Sequence, residues 1–96
     1  MRMLFVICEA NADSRVIELL TEAGVTGYTR FTDAFGNGTH GRREGSPIWP
    51  GLNSLILACV PDEVVDRVRQ AVTKLQEERA GRLAVRVFAA PAEQVY

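Results

Sequence analysis

Two cysteines, one histidine and one tryptophan are the whole supply, in 96 residues, of the side chains from which disulfide scaffolds, metal clusters and large stacking platforms are built. Cys8 and Cys59 form no C-x-x-C pair, and two cysteines cannot staple a small secreted domain in the usual way. No apolar run approaches the roughly 20 residues needed to span a bilayer, so membrane insertion is not expected. Met1-Arg2 leads into an apolar stretch that stops at Glu9 with no small-residue cleavage site after it, so no secretion signal is expected. The net charge of −1 lacks the basic excess of a general nucleic-acid binder. No Ser/His/Asp or Cys/His arrangement is legible, so no catalytic residue is assigned and an enzyme is not expected. A cytoplasmic protein with both thiols reduced is the expectation, and the length allows a single domain over residues 1–96.

What is present is a regular alternation of apolar segments. Met3–Cys8 is a continuous apolar run whose length and β-branched and aromatic content fit a strand buried on both faces. Asn11, Asp13 and Ser14 are candidate N-caps for a helix near 13–23, with Val16, Leu19 or Leu20, and Ala23 at helical spacing and Gly24 placed to end it. Val25–Phe31 reads as a half-exposed edge strand, with Tyr28, Arg30 and Thr32 on one face and Thr29 and Phe31 on the other. Asn53–Val60 contains a second continuous apolar run. Pro61 and Asp62 open a second helix with Val64 or Val65, Val68, Ala71 or Val72, and Leu75 as its stripe, and Gly81 can cap it. Leu83–Phe88 alternates again as a fourth strand.

The order β-α-β-β-α-β predicts an α+β, ferredoxin-like sandwich with an antiparallel sheet in the order 4-1-3-2 and two helices on one face. Strands 1 and 3 are then central, and they are the two continuous apolar runs; strands 2 and 4 are edges, and they are the two mixed ones. Two helices cover one face only, so alternate residues of strands 1 and 3 leave an apolar patch facing water. At about 25 cal/mol per Å², a few hundred Å² is worth several kcal/mol, comparable to the stability of so small a domain. Monomers rarely expose such a patch. A homo-oligomer is therefore expected.

Strands 2 and 3 are predicted antiparallel neighbours, which two to five residues would join. The stretch from Ala34 to Gly51 is far longer, breaks every periodicity and holds five of the eight glycines. A connection of that length is usually functional or disordered, so the candidate binding residues are taken from it: Gly36 and Gly38 as parts of an anion-holding backbone nest, His40 as a titrating group or metal ligand, Arg42 and Arg43 as grips for phosphate or an acidic surface, Trp49 as a stacking or interface anchor, and Asn53 closing the loop. Cys8 and Cys59 are expected to face each other near the ends of parallel central strands, as buried small apolar residues.

The chain also resembles PII-like proteins, of the nitrogen regulatory protein P-II superfamily. The resemblance is carried by Glu18-Leu-Leu-Thr-Glu-Ala-Gly24-Val25, by Phe35-Gly36-x-Gly38, by Val60-Pro61-Asp62-Glu63-Val64 and by Val87-Phe88-Ala-Ala-Pro91-Ala-Glu93-Gln94-Val95. Its loop, with His40-Gly-Arg42 and Trp49-Pro-Gly-Leu-Asn53, is similar to a compact branch associated with membrane transporters. The resemblance implies a homotrimer with a flexible T-loop over about 35–51 that binds a small ligand near the subunit cleft and regulates a partner, a membrane transporter in that branch. ATP-binding relatives use a glycine-rich loop between the second helix and the fourth strand; here that connection is only Arg79-Ala-Gly-Arg82. The ligand, a nucleotide or a metal, is left open, with Arg82 and Arg86 as anion-binding candidates. The competing reading is a CutA-like metal-binding module using His40.

Overall fold

The computed structural model describes residues 1–36 and 52–96. Strand β1 (Arg2–Glu9) runs through a single 3-10 turn (Ala10–Ala12) into helix α1 (Asp13–Glu22), followed by β2 (Thr29–Phe35), β3 (Leu52–Val60), α2 (Asp62–Glu78) and β4 (Val85–Pro91). The four strands form one antiparallel sheet in the order β2-β3-β1-β4. This is the order expected from the two apolar runs.

The core lies between the helices and one sheet face. Leu4, Val6 and Cys8 of β1 alternate with Phe5 and Ile7, as strand geometry requires, and the first set is buried against Val16, Leu20 and Val68 of the helices. The second set faces the other way. Phe5 and Ile7 are 37% and 39% exposed, Phe31 on β2 is 50% exposed and Phe88 on β4 is 56% exposed. Register places Phe5 between Leu57 and Phe88, at the middle of that uncovered face.

Both helices end in Schellman turns, which shift the strands that follow. After α1, Gly24 adopts φ 110°, its N–H donates to Thr21 O at 3.1 Å, and the Val25 N–H donates to Leu20 O at 3.0 Å. Val25 is buried under the helix end rather than paired in the sheet. β2 therefore begins at Thr29, four residues after the expected Val25, and runs on to Phe35. After α2 the left-handed position is Ala80 (φ 54°), with the Gly81 N–H donating to Gln76 O at 2.8 Å. Leu83 is buried, and the Gln76 side chain satisfies its backbone: Nε2 donates to Leu83 O at 2.7 Å and Oε1 accepts from Leu83 N–H at 3.2 Å. β4 consequently starts at Val85, not Leu83.

Ala80 is the weak point of that turn, because a Cβ in the left-handed region is strained where glycine is not. Ala80→Gly should raise stability by about 0.5–1 kcal/mol in urea unfolding, since this strain outweighs the greater freedom of glycine in the unfolded chain. A midpoint that does not rise would mean the turn relaxes in solution.

Candidate functional site at the root of the loop

Glu9 pairs with Asn53 and Phe35 with Leu52, so one end of the sheet carries both strand ends from which residues 37–51 depart. Gly36 and Asn53, two of the expected site residues, meet there. A Cβ built on Gly36 would collide with the side-chain amide of Asn53, so a larger residue here would have to push that amide aside. Gly38, His40, Arg42, Arg43 and Trp49 lie outside the described residues.

Behind the root sits a polar cluster. Ser54, the one buried polar residue among the described residues, donates from Oγ to Asp13 Oδ2 at 2.8 Å, and Arg30 Nη1 stands 3.6 Å from the same oxygen. Asp13 is the first residue of α1 rather than its N-cap, which is Ala12; its carboxylate turns to Ser54 and Arg30. Three elements, α1, β2 and β3, are thereby tied at the foot of the loop. β2 bulges beside the cluster. Phe31 pairs with Leu55 and Ala34 with Asn53, so Thr32 and Asp33 stand against Ser54 alone, and Asp33 takes φ 61°.

Cys8 lies opposite Ser54, buried on the helix side, whereas Cys59 lies opposite Met3 and is exposed. The antiparallel register thus places the thiols at opposite ends and on opposite faces of the sheet, and they do not meet. Burial, then the carboxylates of Asp13 and Glu9, pushes the Cys8 thiol from its ordinary 9.0 up to about 12. Because the folded value lies above the unfolded one, this contribution to stability is complete below pH 9 and is lost as pH rises from 9 towards 12. Urea midpoints should fall with pH across that window, and the fall should be smaller in Cys8→Ala.

Arg86, the second residue of β4, lies at the same end of the sheet, since it pairs with Ile7 and the Glu9 N–H donates to Ala84 O at 3.1 Å. Its Nη1 donates to Val85 O at 2.9 Å. It borders a groove of about 340 Å³ between α2 and the β4 edge, shared with Arg69, Thr73 and Val87. A second hollow, about 320 Å³, lies at the β2 side around Tyr28, Thr29 and Cys59. Arg82 is exposed in the α2–β4 connection and does not line that groove. Within one chain β2 and β4 are three strand spacings apart, roughly 14 Å, so the arginines and the loop root do not form a single pocket. Among the described residues no group of three or more His, Cys, Asp or Glu is disposed to hold a metal, and no helix is long and apolar enough to cross a membrane.

The Asp13–Ser54–Arg30 cluster was not among the candidates drawn from the sequence. Its one sequence signal is a serine opening the apolar run Leu55–Val60, on the face that must be buried.

Comparison with known proteins agrees with this architecture. The family model of the nitrogen regulatory protein P-II matches residues 1–96, and the chain belongs to that family. Among solved structures, it is similar to CPII of Thiomonas intermedia K12, a PII-like protein, bound to ADP and bicarbonate: 29% identity, TM-score 0.70, covering 97% of this chain and 88% of that one. CPII bound to ADP, AMP and acetate aligns at 26% identity and TM-score 0.70, covering 92% and 81%. A PII-like signalling protein of Thermus thermophilus aligns at 28% identity and TM-score 0.63, covering 93% and 83%. No curated protein sequence shows significant similarity to the chain.

Proposed function

We propose that this protein is a cytoplasmic, trimeric PII-like regulator, not an enzyme, that binds an adenine nucleotide with a small carboxylate or bicarbonate anion at the cleft between subunits and acts on a partner, a membrane transporter, through the loop over about 35–51. The observation that carries the reading is the uncovered apolar sheet face centred on Phe5, Ile7 and Phe88. Three copies turning these faces inward hide them from water. In such a ring the β4 edge of one copy adjoins the β2 edge of the next, so the groove beside Arg86 meets the loop root of its neighbour, while the hollow beside Thr29 lies at the far end of that edge. That junction combines cations, apolar walls and the Gly36 backbone, which suits a phosphate-bearing ligand with a flat base. The ligands named for CPII, ADP with bicarbonate or acetate, are of that kind.

Calorimetric titration with ADP tests the reading. Binding is expected, and Arg86→Ala should weaken it about tenfold, near the loss of one charge-assisted hydrogen bond. Absence of binding to the wild type, with or without bicarbonate, would remove the nucleotide from the proposal.

A further inference from the structure

We propose that the bulge at Thr32–Asp33 is a register switch: the end of β2 has two settings over β3, and passing between them carries Phe35 from the helix side of the sheet to the open face. The near side of the bulge is fixed. Arg30 is held to Asp13, Asp13 accepts from Ser54, and Phe31 sits opposite Leu55. The far side is held lightly, since Phe35 is 83% exposed opposite Leu52.

Side chains alternate along a strand, so absorbing the extra residue flips everything beyond it. Asp33 would move opposite Asn53 and Ala34 opposite Leu52. Asp33 would return to extended backbone from a left-handed conformation that non-glycine residues adopt sparingly. Phe35 would turn to the face of Phe31 and Leu55, where it finds apolar neighbours. The cost is the close approach of Gly36 to the Asn53 side-chain amide. The observed setting thus has a strained aspartate and an uncovered phenylalanine on one side of the balance and the Gly36–Asn53 contact on the other. The Asp13–Ser54–Arg30 ties survive in both. Since the open face is where copies meet in the proposed trimer, the setting of Phe35 links the loop root to the subunit interface; this consequence rests on that assembly, whereas the two registers do not.

Cross-strand NOEs in the full-length protein read the register directly. In the wild type and in Asp33→Gly, which accepts a positive φ, residue 34 should face residue 53. In Asp33→Val, whose branched Cβ resists it, those NOEs should vanish and be replaced by 33–53 and 34–52 contacts. Relaxation dispersion on the wild type supplies a second test: the amides of Ala34, Phe35 and Gly36 should show microsecond-to-millisecond exchange, and Asp33→Gly should suppress it. Flat dispersion profiles in the wild type, or Asp33→Val keeping its 34–53 contacts or detaching from β3 beyond Phe31, would overturn the proposal. A protein that changes register yet sediments as single subunits supports the switch and refutes the trimer.

Discussion

Phe5→Asp should convert the assembled protein into single subunits. Phe5 stands at the centre of the open face, opposite Leu57 on one side and Phe88 on the other, with Ile7 and Phe31 completing the patch. In the proposed assembly, three carboxylates would enter a closed apolar contact whose bordering cation, Arg86 opposite Ile7, already donates to Val85 O. An uncompensated buried charge costs about 3–5 kcal/mol, hence more than a hundredfold in dissociation constant for each copy. The same substitution in an isolated subunit meets water and should leave the fold intact. Size-exclusion chromatography with light scattering, paired with circular dichroism, separates the two effects. Glu22→Lys, on the exposed end of α1, is the control and should change neither. A Phe5→Asp protein that keeps the wild-type assembly would show that the copies join through some other surface.

Asp13→Ala should have the largest effect on the fold itself. The change strands the Ser54 Oγ in a fully buried site and leaves Arg30 without its carboxylate, so a loss of about 2–3 kcal/mol is expected. Ser54→Ala removes the donor and leaves Asp13 with Arg30, and should cost about 1 kcal/mol. The double variant should be less destabilised than the two single losses added, because the partners share one interaction. Urea unfolding of the four proteins gives the coupling. Strict additivity would show that the 2.8 Å contact contributes nothing measurable.

The sheet order was readable in the sequence because burial on both faces removes polar residues from a strand. Met3–Cys8 and Leu55–Val60 could only be central, and once they were central the open face and its need for cover followed. Boundaries set by hydrogen bonding were not readable. Val25 and Leu83 are apolar and adjoin strands, yet each is used to close a helix end, Val25 through the Schellman turn and Leu83 through the Gln76 side chain. The glycine after α2 suggested the cap, and Gly81 is left-handed (φ 73°), but so is Ala80 before it, which no local pattern announced. The loop root was half legible. Gly36 stood out as part of a possible anion-holding nest and Asn53 as the residue closing the loop, and the fold brings the two together. The cluster behind them was hidden because Asp13 and Ser54 lie 41 residues apart and no local pattern couples them. The cysteines misled because apolar strand ends look alike until the register is known; antiparallel pairing separates Cys8 from Cys59.

Sedimentation equilibrium of the purified protein at micromolar concentration tests the central claim most directly. An apolar sheet face that its own helices leave bare should hold three chains together, giving a single species of three times the chain mass. A well-folded species of one chain mass, stable and free of aggregation at that concentration, would contradict the account.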